Sequence, residues 1–208
     1  MSLSNPKIVE LDFGMGNIRS LQKAFEHQGQ PVEVIQDPEK ISSADAVILP
    51  GDGAFGKAIE ELKSRGFFDA VVNFYKTGKP ILGICIGFQI LFSESEEFGN
   101  TTGFSFLPGK ITRFENKNLL VPHIGWTKTR WNKESKLTNN IPSDSFFYYV
   151  HSYRLNGTHE NSVGLTEYGG EFTSVIEKDN LFATQFHPEK SQKWGLKILD
   201  NFINIVKN

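Results

Sequence analysis

The stretch Pro80-Ile-Leu-Gly83-Ile-Cys85-Ile-Gly87-Phe-Gln89 decides how this chain is read. A short apolar run reaches Gly-x-Cys-x-Gly and then takes up helical spacing, so a buried strand turns sharply into a helix with a thiol at the turn. The flanking glycines permit a tight, strained backbone, and the positive end of the following helix favours a thiolate. At an unperturbed pKa near 8.5 only about 3% of a cysteine is ionised at pH 7, so that placement has catalytic value.

Working outward, the sequence upstream alternates strand and helix patterns. Lys7–Phe13 reads as a strand, and Asn17–Gln28 carries apolar residues at helical spacing before Gly29 ends it. Pro31–Ile35 and Ala44–Leu49 are further strands, and a helical stretch runs from about Ala54 to Tyr75 with a break at Gly66. Downstream, Phe88–Glu97 is expected to stay helical. From Gly103 to Glu189 short runs rich in Phe, Tyr, Val and Thr are punctuated by Tyr168-Gly169-Gly170 and Lys178-Asp179-Asn180, the marks of antiparallel hairpins. Ser191–Lys207 closes the chain as an amphipathic helix. The fold class is therefore α/β: a three-layer, doubly wound, mainly parallel sheet with additional antiparallel strands in the second half, in one domain spanning residues 1–208.

Composition narrows the function. A formal charge of −2 without a dense Lys/Arg cluster argues against nucleic acid. Apolar runs fall short of the roughly 20 residues that cross a bilayer, so no membrane is expected. Met1–Pro6 lacks the features of a secretory signal, and the single cysteine excludes an intrachain disulfide. A reducing, cytoplasmic setting follows, and neither a metal cluster nor a cofactor is called for.

A cysteine nucleophile needs a base and a group that orients the base. Ala183-Thr-Gln-Phe-His187-Pro188-Glu189 offers both. The residue before proline favours extended backbone, and in an extended segment residues i and i+2 point the same way, which sets the Glu189 carboxylate beside the His187 imidazole. His123 and His151 are read as structural.

Together the two segments resemble the class I glutamine amidotransferases, which use a Cys-His-Glu triad. Five more stretches resemble the glutaminase subunits of imidazole glycerol phosphate synthase. They are Asp12-Phe-Gly-Met-Gly-Asn17, Leu49-Pro-Gly-Asp-Gly-Ala-Phe-Gly56, Val121-Pro-His-Ile-Gly-Trp126, Val150-His-Ser-Tyr153 and Gln185-Phe-His-Pro-Glu-Lys-Ser191. The resemblance covers the chain from Lys7 to the last helix. It implies that Cys85 attacks the side-chain amide of glutamine while His187, oriented by Glu189, carries the proton to departing ammonia. It implies an oxyanion hole from backbone N–H groups of Ile86, Asp52 and Gly53, and glutamine binding by Gln89, Glu97, Ser152 and Tyr153. It also implies a heterodimer with a (β/α)₈ cyclase subunit that receives the ammonia in histidine biosynthesis, with Asn17, Trp126 and Lys190 facing that partner.

The sequence departs from the family at Asp52, usually Val, at Ile86, usually Leu, at Phe88, usually Met, and at Phe13, usually Tyr; the Gly103–Gly109 loop also differs. These departures leave open a paralogue that supplies ammonia for amidation of surface-polysaccharide sugars. Asp52 is the sharpest, because a carboxylate about 5 Å from a developing oxyanion opposes it by roughly 3 kcal/mol at an effective dielectric near 20. Its side chain is expected to face solvent or pair with a cation. Two other readings stand beside these. Gly14-Met-Gly16-Asn-Ile-Arg19, with Glu33 beyond it, partly matches a dinucleotide-binding fingerprint but has Arg19 where the third glycine belongs. A free-standing hydrolase would use the same triad without a partner.

Overall fold

The structure, a computed structural model, describes residues 5–115 and 119–208. Met1–Ser4 of the stretch read for a signal, and residues 116–118 of the hairpin-rich half, lie outside the described residues.

The first half forms parallel strands with helices between them. β1 (Ile8–Leu11), β2 (Val32–Ile35), β3 (Ala46–Leu49) and β4 (Ile81–Ile84) are joined by α1 (Ile18–His27), α2 (Phe55–Ser64) and α3 (Phe67–Tyr75). Every residue of β1, β3 and β4 is buried, as a parallel strand covered on both faces must be. Asn17 starts α1 by accepting from Ser20 N at 3.4 Å. Gly66, at φ 76°, separates α2 from α3 where the break was expected.

After β4 the chain departs from expectation. α4 is one turn, Ile86–Gln89, and Phe92–Ser95 is a strand, β5, instead of more helix. Ile86, Phe88, Ile90, Leu91 and Phe92 are all buried. A run with no solvent face has no amphipathic period to hold it helical, so burial and pairing decide. Phe92–Ser95 pairs in parallel with β7 (Leu107–Arg113) and antiparallel with β6 (Thr101–Thr102).

The second half supplies β8 (His123–Trp131), β9 (Ser145–His151), β10 (Tyr153–Asn156), β11 (Ser162–Glu167), β12 (Glu171–Lys178) and β13 (Leu181–Thr184), then α5 (Gln192–Lys207). β11–β12 and β12–β13 are the antiparallel hairpins expected at 168–170 and 178–180. One sheet runs in the order β2-β1-β3-β4-β13-β12-β10-β7-β5-β6, with β11, β8 and β9 branching from β12. β13 returns parallel to β4, with Thr184 opposite Ile84. That pairing brings the ends of two distant segments, Cys85 and His187, to the same edge.

Two apolar layers flank the parallel strands. Val9, Leu11, Val47 and Leu49 face α2 and α3 through Phe55, Leu62 and Val71. Ile8, Ile48, Leu82 and Ile84 face α1 and α5 through Phe25, Ile198 and Phe202. The α/β/α reading holds. Among the described residues no helix is long and apolar enough to cross a membrane.

Candidate active site

Cys85 follows β4 directly, and its N–H donates to Thr184 O of β13 at 2.8 Å. Its backbone sits at φ 53°, ψ −102°, a left-handed position that non-glycine residues rarely hold. The strain therefore falls on the cysteine itself. The flanking glycines serve another purpose, close approach: a Cβ on Gly83 would lie 2.6 Å from Gly87 O, and one on Gly87 would lie 2.0 Å from Leu49 O. The single turn of α4 also corrects the helix-dipole expectation, because so short a helix has little macrodipole to offer.

His187 is in extended conformation, φ −93°, ψ 101°, ahead of a 3₁₀ turn, Pro188–Lys190. Its Nδ1 is 2.8 Å from Glu189 Oε1. The contact expected from the sequence forms, but the 3₁₀ turn makes it instead of strand alternation. Both side chains are buried, with 2% and 4% of their surface exposed. His187 Nε2 has no hydrogen-bond partner among the described residues. It is turned toward the Cys85 sulfur and lies 3.8 Å from Asp52 Oδ1. Burial pulls the imidazole pKa down, but the Cys85 sulfur and the Glu189 carboxylate outweigh it and raise it to about 10. The sulfur and the carboxylate flank the imidazole and favour its charged form.

The other histidines beside this site behave differently. His151 Nδ1 donates to Tyr153 O at 2.8 Å, and its Nε2 meets His123 Nδ1 at 3.1 Å. His123 stacks on Tyr168 at 3.8 Å between ring centroids. Burial pushes these pKa values down to about 3 and about 4, so both rings are neutral wall groups.

In front of Cys85 is a cavity of about 230 Å³. Asp52, Gly53, Ile86, Gln89, Glu97, Ser152 and Tyr153 line it. Residues from four parts of the sequence thus meet at one thiol. Ile86 N–H, at the first position of α4, has no intrahelical acceptor. Gly51 packs so tightly behind it that a Cβ would lie 2.5 Å from Ile86 N, and Gly53 bends the segment at φ 104°. Gln89 is buried and spends its amide N–H groups on Tyr153 O at 2.9 Å and Gln185 Oε1 at 3.0 Å. Glu97 Oε2 accepts from Phe55 N at 2.7 Å, and burial raises its pKa. Asp52 is 44% exposed, but its Oδ1 lies 3.8 Å from His187 Nε2, so the carboxylate stands beside the site and not wholly away from it. A larger surface depression, about 870 Å³ and lined by Trp131–Ser135 and Glu177 among others, contains no member of this set.

Sequence reasoning passed over Gln185. Its amide bridges Gln89 and the Cys85 sulfur, donating to Sγ at 3.8 Å. Its signal was its place two residues before His187.

Residues 9–206 match the family described as Glutamine amidotransferase class-I. The chain belongs to that family. Among curated relatives of this amidotransferase is the imidazole glycerol phosphate synthase subunit HisH of Moorella thermoacetica, 46% identical over 97% of this chain and 96% of its own length. The HisH subunit of Syntrophotalea carbinolica is 42% identical over 94% of this chain and 98% of its own. Solved structures share the amidotransferase fold at low identity. PurLQS from Thermotoga maritima superposes with a TM-score of 0.76 at 19% identity, covering 97% of this chain and 99% of that one. The dinucleotide fingerprint has no part in this site: Arg65 lies over Gly14, where a Cβ would meet its guanidinium at 2.7 Å, and Glu33 pairs with Lys7 and Lys40.

Proposed function

We propose that this chain is the glutaminase subunit of an imidazole glycerol phosphate synthase, acting in the cytoplasm as one amidotransferase domain over residues 1–208. It hydrolyses glutamine and passes ammonia to a (β/α)₈ cyclase subunit in histidine biosynthesis. The observation that carries this reading is the Glu189–His187 contact of 2.8 Å with the imidazole's other nitrogen toward Cys85, at the mouth of a cavity of amino-acid size.

Glutamine enters with its side-chain carboxamide toward Cys85. Gln89, Glu97, Ser152 and Tyr153 hold its α-amino and α-carboxylate groups. The Cys85 thiolate attacks the amide carbon, and the oxyanion takes N–H donors from Ile86 and the Asp52–Gly53 segment, each of which is worth about 2.7–4 kcal/mol of barrier. The C–N bond breaks as His187 Nε2 protonates the leaving nitrogen, giving ammonia and a γ-glutamyl thioester. Water then attacks the thioester, giving its proton to His187; the C–S bond breaks and glutamate leaves. Glu189 stabilises each imidazolium.

A partner surface lies beside this site. The 3₁₀ turn that carries Lys190 packs against α1, which Asn17 caps, and against β9. β9 pairs with β8, setting Trp126 opposite Tyr148. Ile124, Trp126 and Phe146 leave an exposed apolar ribbon there, a feature expected of an interface.

Cys85→Ala in the complex with the cyclase should lose glutamine-dependent synthesis and keep synthesis driven by added ammonium. Retained glutamine turnover would remove the triad assignment. The paralogue reading, which rests on Asp52, predicts instead that the cyclase of the histidine pathway gives no glutamine-driven product with this chain.

A further inference from the structure

Glu10 lies in the middle of β1 and is fully buried. Neither carboxyl oxygen has a hydrogen-bond partner among the described residues. An acid so placed in a central parallel strand, opposite Val34 and Ile48, costs stability and fills no structural need that an apolar residue would not fill better. Strand alternation sets Glu10 with Ile8 on the face toward α1 and α5, while Val9 and Leu11 face the opposite layer. The turn carrying Glu189 packs on that same side, against both helices. There Glu189 Oε2 is also buried and unpartnered, its other oxygen being engaged by His187. Three buried carboxyl oxygens on this side of the sheet thus lack an N–H or O–H donor among the described residues, and the Glu189 charge is felt at Glu10. One retained proton satisfies such a pair, as when two carboxyls share a site.

We propose that Glu10 is a positioning residue of the glutaminase site, its carboxyl O–H directed to Glu189 Oε2 and holding that carboxylate in register with His187. This inference rests on the glutaminase reading above and adds a fourth member, Glu10–Glu189–His187–Cys85. Burial, Glu189 and Asp12 raise the Glu10 pKa to about 8, so the proton is present at neutral pH.

The test compares Glu10→Ile and Glu10→Gln in the full chain. Isoleucine suits a central strand and deletes the donor; glutamine keeps an N–H donor. Glu10→Ile should lower kcat for glutamine about tenfold or more, with KM within about twofold and a Tm equal to or above wild type. Glu10→Gln should return kcat to within about threefold. Because Cys85 is the only cysteine, its alkylation rate by iodoacetamide should follow kcat. Wild-type kcat in Glu10→Ile, or a loss that tracks a lower Tm and is not rescued by Gln, would overturn the proposal. Glu10→Leu makes the same deletion should the β-branched variant not fold. Cys85→Ala measured alongside separates the two failures: turnover without the thiol defeats the glutaminase reading, whereas a dead Cys85→Ala beside an unaffected Glu10→Ile defeats only this one.

Discussion

Asp52 and Glu189 approach the His187 imidazole from its two nitrogens, at 3.8 Å and 2.8 Å. The two anions differ in exposure, 44% against 4%, so water screens Asp52 far more than Glu189. Across about 4 Å of water-like medium a unit charge is worth about 1 kcal/mol, under one pH unit. Removing Asp52 takes an anion from beside the imidazolium, so the imidazolium loses its proton at lower pH. Asp52→Asn should therefore move the alkaline limb of Cys85 alkylation down by less than about one pH unit. An unmoved limb would mean solvent screens the carboxylate completely. At this scale the residue types were legible from the sequence: Cys85, His187 and Glu189 announced themselves by their neighbours. Gln185 and Glu10 did not, because a Gln near a strand end and an acid within an apolar run carry no local pattern of their own.

At the scale of the element, the turn from β4 to α4 depends on how closely two backbones approach. Gly87 sits against β3, and the 2.0 Å a Cβ would have to Leu49 O leaves backbone, not a mobile side chain, as the obstacle. Gly87→Ala should cost about 3 kcal/mol, a fall in Tm of roughly 6–12 °C for a chain of this size. Gly78 has φ 75° with nothing within 4 Å of an added Cβ, so alanine there should cost only about 1–2 kcal/mol, the left-handed penalty. Differential scanning calorimetry of the pair checks the ordering; equal shifts would show that β3 yields to the methyl group. The same turn explains why helix was expected through Glu97. Ile86, Phe88, Leu91 and Phe92 repeat at spacings a helix would use, but that spacing signals an amphipathic helix only where the residues between are exposed, and these are not.

For the whole molecule, proton binding sets how stability follows pH. Glu10 is raised from 4.5 to about 8, so the folded chain keeps a proton that the unfolded chain loses. Its contribution is full below pH 4.5 and is lost as pH rises through 8. His187, raised from 6.5 to about 10, extends the decline. His123 and His151, lowered to about 4 and about 3, act in the opposite sense and remove stability below pH 6.5. Stability should therefore peak near pH 6. Glu10→Gln cannot ionise, so its Tm should exceed wild type by a margin that widens between pH 5 and 8, reaching roughly 5 °C or more. A constant margin over that range would show Glu10 ionised throughout.

The sequence by itself determined the α/β class and the order of most elements, and it singled out Cys85, His187 and Glu189. Those depend on local rules: strand and helix periods, glycine beside cysteine, histidine before proline. Tertiary structure decided the rest. Only the return of β13 beside β4 brings Cys85 and His187 together across a hundred positions of chain. Only packing shortened α4 to one turn and placed backbone strain on the cysteine. Burial is a property of neighbours distant in sequence, and so the protonation of Glu10, the neutrality of His123 and His151 and the charge on His187 were all fixed by the folded chain.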